Sequence, residues 1–378
     1  MRPRLLMLGL ISTFGLASAV LAQSADYRFV RVTPFEPLDT PVPTSIYGPP
    51  SLNDMGSVAF TTQRGTDRAV VISDGSTLTT IADTAGPFTA FAQPALNESS
   101  QVSFRLILDA GPDAVAFGSA GSISTIAAAN SPYDAFGNVT SINNQGTVAF
   151  FADIGPNGST IMTYDGSAFS AIEDETGPFG FFGAADINSG GQVAYLAVAD
   201  EIVDGVRLRA LRFFDGSSAS TIADNSGVFS SIGGISLNDS GEIAYVGNRG
   251  LEGNELYLFD GLSSQLIATG AGPIAQFGTP ALNDAGLIAF SAALDDGRST
   301  INVWQEGTIR EIVGTGDTLE GKTIISPSSG LGFVRGGLND KGAIAFLAVF
   351  TDETSAIYRA DPVEVFSDRF ELNEVARN

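Results

Sequence analysis

Apolar positions along this chain fall in short runs separated by Asn, Asp and Gly, and one arrangement recurs from end to end. SLNDMGSVAF (Asn53), ALNESSQVSF (Asn97), SINNQGTVAF (Asn143), DINSGGQVAY (Asn188), SLNDSGEIAY (Asn238), ALNDAGLIAF (Asn283) and GLNDKGAIAF (Asn339) stand 44, 46, 45, 50, 45 and 56 residues apart. A period in the forties built only from strand-like segments predicts the blades of a β-propeller. Helical repeats would instead space their apolar residues by three and four, and no such stretch follows the first two dozen residues. The expected fold is all-β: a seven-bladed propeller with four strands per blade.

The strands of the fourth repeat are readable one by one. Phe182 to Ile187, Gln192 to Val198, Leu208 to Phe214 and Ser220 to Ala223 are the apolar or β-rich runs. The first turn is Asn-Ser-Gly-Gly here and Asn-Asp-x-Gly in repeats 1, 5, 6 and 7. Asn bonds its own backbone two residues on, and Gly takes the positive φ of a tight turn. The third and fourth strands are joined by Asp-Gly at Asp74-Gly75, Asp165-Gly166, Asp215-Gly216 and Asp260-Gly261, with Glu306-Gly307 and Ala120-Gly121 as variants. In the Val-Ala-Phe after each first turn, Val58 and Phe60 share one face and Ala59 the other. A large residue of one blade would then fill the space over a small residue of the next.

The seventh repeat is one strand short, leaving its pattern at Asp361-Pro362 with only Val363 to Phe366 as a weak fourth run. Before the first repeat, DYRFVRVTPF reads as a strand without a blade. The N-terminal strand is therefore expected to complete the last blade and close the ring, leaving no open edge. A β-sandwich array, the alternative fold, would leave that strand unpaired with the seventh repeat. The domain plan is a leader over 1–22, the propeller over 23–361 and a tail over 362–378.

Composition narrows the chemistry. The 378 residues contain no Cys and no His, carry a formal charge of −23, and are 44% hydrophobic with 26 Phe. A large core is affordable, whereas disulfides, thiol nucleophiles, ordinary zinc and haem sites and His-dependent triads are excluded. Nucleic acid is excluded as a partner by the deficit of Lys and Arg. The N-terminus places Arg2 and Arg4 before an apolar run from Leu5 to about Ala22, with Val20 and Ala22 at the −3 and −1 positions of a cleavage site. That is the layout of a secretory signal, so the mature chain should begin near Gln23, lack a membrane span, and be a secreted or periplasmic monomer.

The copies resemble the tandem Asn-x-x-Gly-x-x-Ala-Phe repeats of a family of exported bacterial proteins, over roughly residues 43 to 350. The resemblance implies a secreted repeat protein and carries over no catalytic residues. GTGDTLEGKTI, residues 314 to 324, is similar to a Gly-Asp linker that often precedes such repeats, and VFSDRFE, residues 365 to 371, to short endings of other exported proteins. Repeat 2 departs from the pattern with Ser100 for Gly and Ser103 for Ala; repeats 4 and 5 use Tyr195 and Tyr245 for Phe.

Candidate chemistry rests on carboxylates. In a propeller the connections from strand two to three and from strand four to the next blade share one face, and here they carry Asp200, Glu201 and Asp204, Asp295 and Asp296, and Asp317 and Glu320. Such acids would form a calcium site, a docking surface for a carbohydrate or protein ligand, or merely a solvated surface, which the missing EF-hand spacing favours. Asp186, and Arg335 in the equivalent segment of repeat 7, could face the central channel. A paired-carboxylate hydrolase or lyase at the channel mouth is the rival to non-catalytic recognition. It would gather acids in one pocket, where a binder would disperse them. GTGDTLEG lacks the Lys-Ser/Thr of a phosphate loop. Trp304, near the end of a third strand and one residue out of register with Tyr164, Phe214 and Phe259, reads as packing.

Overall fold

A computed structural model describes residues 26–37, 47–109, 111, 113–130, 132–155, 158–203, 205–327 and 335–363. The leader, Asp204 and the tail beyond 363 lie outside the described residues. Seven antiparallel sheets, six of them in sequence order from the axis outward and the seventh ended by the N-terminal strand, form a seven-bladed propeller with four strands per blade. Blade 4 runs Phe179–Ile187, Val193–Val203, Val206–Phe214 and Ala219–Asp224. Its second and third strands outrun the sequence expectation, because Ile202 pairs with Arg207 and extends the ladder into what reads as a loop.

The Val-Ala-Phe alternation packs the blades as expected. Val58 and Phe60 sit against Ala345 of blade 7, while Ala59 lies against Val102 and Phe104 of blade 2. The same exchange joins Val193 and Tyr195 to Ala149, Ile243 and Tyr245 to Ala194, Ile288 and Phe290 to Ala244, and Ile344 and Phe346 to Ala289. Each fully buried Val or Phe contributes on the order of 1.5–3 kcal/mol. Blade 2 carries Ser103 at the Ala position, and its hydroxyl lies 2.9 Å from that of Thr140 in blade 3, so the polar substitution is satisfied.

Closure comes from the N-terminal segment. Tyr27–Arg31 is the outermost strand of blade 7, antiparallel to Thr354–Pro362, with Tyr27 opposite Pro362 and Arg31 opposite Tyr358. Glu36–Pro37 then pairs with Ser355 and Thr354 of the same strand.

Two readings need correction. Trp304 pairs with Ile288 just as Tyr164 pairs with Val148, Phe214 with Val193 and Phe259 with Ile243, so it is in register with them. The offset arises in the turn: Gln305 pairs with Thr308 around two residues, whereas Tyr164 pairs with Phe169 around four. Those four-residue turns also change the meaning of Asp-Gly. Asp74 caps its turn by accepting the N–H of Ser76 and of Thr77 at 2.8 and 2.7 Å, and Asp215 does the same for Ser217 and Ser218.

Candidate functional site

In blades 2 to 6 the inner strand approaches the axis through a break. In blades 2 and 6 the strand stops and resumes, at Phe88–Phe91 then Ala95–Leu96 and at Ile274–Phe277 then Ala281–Leu282, around Pro94 and Pro280, which have no N–H to donate. In blades 3, 4 and 5 the ladder shifts register between Phe136 and Thr140, Phe182 and Ala185, and Gly233 and Ser236. The small residues at these breaks leave a cup of about 360 Å³ on the axis, with Thr140, Ala184, Gly234 and Thr279 in its wall. Its mouth faces the side of the strand two-to-three connections.

The floor of the cup is a collar. The residue before each repeat Asn is Leu52, Leu96, Ile142, Ile187, Leu237, Leu282 or Leu338, and each is 5–9% exposed. Five of them line both the cup and a second chamber of about 160 Å³ on the opposite side.

Below the collar the seven asparagines form a closed ring. Each Nδ2 donates to the backbone carbonyl of the Asn in the next blade: Asn53 to Asn97, Asn97 to Asn143, Asn143 to Asn188, Asn188 to Asn238, Asn238 to Asn283, Asn283 to Asn339, and Asn339 back to Asn53, at 2.9–3.2 Å. Each Oδ1 meanwhile accepts the N–H four residues on, from Ser57 to Ala343, and in blades 2, 3 and 6 it also accepts the N–H two residues on that the sequence predicted. A second ring lies outside it. The backbone N–H of Asp54 donates to Glu98, Glu98 to Asn144, Ser189 to Asp239, Asp239 to Asp284, Asp284 to Asp340 and Asp340 to Asp54. Burial, and then the neighbouring acids, raise the carboxyls of Glu98, Asp284 and Asp340 above the ordinary range, against the pull of the N–H donors. Lys341 Nζ donates to the Asp54 carbonyl at 2.7 Å on this face.

The residues singled out in the sequence behave differently from these. Asp186 does line the cup, 8% exposed, where Oδ1 accepts the Ser141 hydroxyl at 2.7 Å and Oδ2 the Leu237 N–H at 2.9 Å. It belongs to a set of interblade clips, in which Ser51 accepts from Leu96, Ser141 from Ile187 and Ser236 from Leu282. Arg335 opens a 3-10 turn, Arg335–Gly337, where a strand was expected. There Gly336 passes so close to Ser51 that a Cβ would stand 2.6 Å from its hydroxyl. Asp200 and Glu201 are exposed on the long blade 4 hairpin, and Asp295 and Asp296 are exposed on blade 6, where Asp296 holds Arg298 at 3.0 Å. Asp317 accepts the Gly314 N–H, and Glu320 accepts Arg31 Nε at 3.0 Å, stapling the closing strand to the 318–326 hairpin. None of these six acids lines the cup, and Asp204 lies outside the described residues.

The acids that converge are therefore Asp54, Glu98, Asp239, Asp284 and Asp340. The signal for them is in the sequence, as the residue after each repeat Asn. Among the described residues no group of three or more Asp and Glu is placed to hold a metal ion.

Solved structures with this fold include oligogalacturonate lyase from Vibrio parahaemolyticus (12% identity, 90% of this chain and 99% of that one, TM-score 0.57). A streptogramin B lyase (12% identity, 89% and 98%, TM-score 0.51) is similar too. A prolyl endopeptidase matches at 11% identity and TM-score 0.54 over 84% of this chain, which spans about half (50%) of that protein's length. At such identities the likeness is one of fold. No curated protein sequence matches the chain. Residues 175–365 match the profile of the Family of unknown function (DUF7453), and the chain belongs to that family.

Proposed function

We propose that this chain is an exported, non-catalytic recognition propeller, related to exported bacterial repeat proteins, that takes an extracellular ligand through the mouth of the axial cup. One observation carries the reading: the cup has a ligand-sized volume and an apolar floor of collar residues, while the carboxylates nearest the axis are acceptors for neighbouring blades. A carboxylate held by a backbone N–H and a hydroxyl, as Asp186 is, serves as a clip between blades. Export is supported by Arg2, Arg4, the apolar run and the Val20/Ala22 cleavage pattern.

The rival reading is a carboxylate-dependent hydrolase or lyase, favoured by Asp186 in the cup wall and by the lyases of similar fold. The two separate in one experiment. The mature protein from Gln23 is incubated with polygalacturonate and with neutral polysaccharides, and both ligand binding and product release are followed. Binding without turnover is expected. Turnover abolished by Asp186→Asn would replace recognition by catalysis.

A further inference from the structure

The cup continues sideways between blades 2 and 3. A cavity of about 280 Å³ there shares Gln93 and Val139 with the cup and is walled further by Phe91, Arg105, Ile107 and Asn138. Local sequence builds it: Pro94 interrupts the inner strand of blade 2, and Ala92 N–H still reaches the Arg105 carbonyl at 2.8 Å, so Gln93 is held at the junction of the two spaces. Gln93 is half-buried, and among the described residues its amide has no hydrogen-bond partner. Facing the cavity with its hydrogen-bonding capacity not taken up by the protein, the amide offers a ligand hydroxyl both a donor and an acceptor.

The chemistry of the remaining wall narrows the ligand. Arg105 gives Nε to Asp113 at 3.1 Å and Nη1 to Asn138 Oδ1 at 2.7 Å, and its Nη2 also contacts Asp113. Its charge is thus compensated, while guanidinium N–H donors remain beyond those three bonds. With a chain charge of −23, a compensated arginine does not make an anion site. Phe91 and Ile107 supply an apolar wall beside these donors and acceptors. Polar groups able both to give and to accept, neutral overall and set beside an aromatic ring, suit the hydroxyl edge and the C–H face of a sugar.

We propose that the cup and this groove form one elongated site for a neutral oligosaccharide, with Gln93, Asn138 and the Arg105–Asp113 pair meeting its hydroxyls and Phe91 its apolar face. The inference rests on the reading of the cup as the binding site. It is tested by calorimetry with cello-, xylo-, malto-, manno- and chitotriose, with trigalacturonate as the acidic counterpart. At least one neutral trisaccharide should bind, and trigalacturonate at least tenfold more weakly. Tightest binding of trigalacturonate, or no binding of any neutral member, would overturn the proposal. Gln93→Ala should weaken the neutral ligand about tenfold with the unfolding midpoint nearly unchanged, because no side-chain hydrogen bond among the described residues is lost. Thr279→Arg, which fills the far wall of the cup, should abolish binding. If Thr279→Arg abolishes binding and Gln93→Ala leaves it intact, the groove is wrong and the cup stands; if neither changes it, both are wrong.

Discussion

Asn339 Nδ2 lies 3.0 Å from the carbonyl oxygen of Asn53, 286 residues away, and this contact closes a ring of seven side-chain amides around the axis. Each buried amide serves two blades at once. Asn283→Ala would remove one of the two donors to Asn339 O, which keeps the Gly342 N–H, and would leave the Leu287 N–H without its acceptor in a buried site. At about 1–3 kcal/mol for one unsatisfied buried group, a loss of about 2 kcal/mol is expected in urea unfolding. Asn283→Asp keeps the acceptor yet sets a carboxylate against the Asn339 carbonyl, so its loss at neutral pH should be at least as large. A loss under about 1 kcal/mol for both variants would mean that the ring is decorative.

The outer ring carries a pH signature. Asp284 and Asp340 have folded-state values raised first by burial and then by neighbouring acids, Asp340, Asp239 and Asp54 for the former and Asp54 and Asp239 for the latter, so the folded protein holds its protons to higher pH than the unfolded chain does. Stability then falls as pH rises from about 3.9, the unfolded value, through the raised folded value. Asp284→Asn and Asp340→Asn keep an oxygen acceptor, as Asn144 already does for Glu98 N–H. Each should raise the melting midpoint at pH 7, with the gain disappearing below about pH 4. Equal gains at both pH values would rule out the electrostatic cause.

The Asp-Gly turns work in the opposite sense. N–H donors and a serine hydroxyl lower the exposed Asp74 and Asp215 to about 2. Their depressed values favour folding above the unfolded carboxylate range and lose that effect as pH falls toward 2. Asp74→Asn should therefore lower stability at pH 7 and leave it nearly unchanged near pH 2, flattening the acid arm of the stability profile, as read by circular dichroism across pH.

Much of this molecule was legible before its coordinates. The period, the turns and the Val-Ala-Phe packing rest on local chemistry that each repeat states seven times, and the orphan strand at Tyr27–Arg31 had only one vacancy to fill. The site was less legible because acids in loops stand out by number and not by position. Asp295, Asp296, Asp200 and Glu201 are numerous and exposed, while Asp54 and Asp340 meet because ring symmetry brings equivalent positions together. The collar was hidden for a related reason: Leu237 or Leu282 reads as one more core residue until seven of them face one axis.

Repeat 2 offers a direct check of turn chemistry. Ser100 occupies φ +56, where the other repeats place glycines at φ +74 to +83, such as Gly286 and Gly241. A non-glycine residue there costs about 1–2 kcal/mol, partly offset by the greater unfolded-state entropy of glycine. Ser100→Gly should stabilise by up to about 1 kcal/mol, visible as a higher urea midpoint at unchanged slope. A destabilised variant would show that the Ser100 side chain makes a contact worth more than the strain.

Ring closure makes the boldest forecast, because the two ends of the propeller meet. Val363 N–H donates to the Asp26 carbonyl at 2.7 Å, and Arg31 reaches across to Glu320. Deleting residues 26–37 strips Thr354–Pro362 of its outer partner and exposes a long unpaired edge, so the truncated chain should aggregate or lose cooperative unfolding. A circular permutant that joins 363 to 26 through a short flexible linker, with new ends between Ala85 and Gly86, breaks no blade ladder. It should fold with a midpoint close to that of the parent chain, measured by calorimetry and size-exclusion chromatography. A deletion variant as stable as the permutant would show that blade-to-blade packing alone holds the ring, and would remove the closing strand from the account of stability.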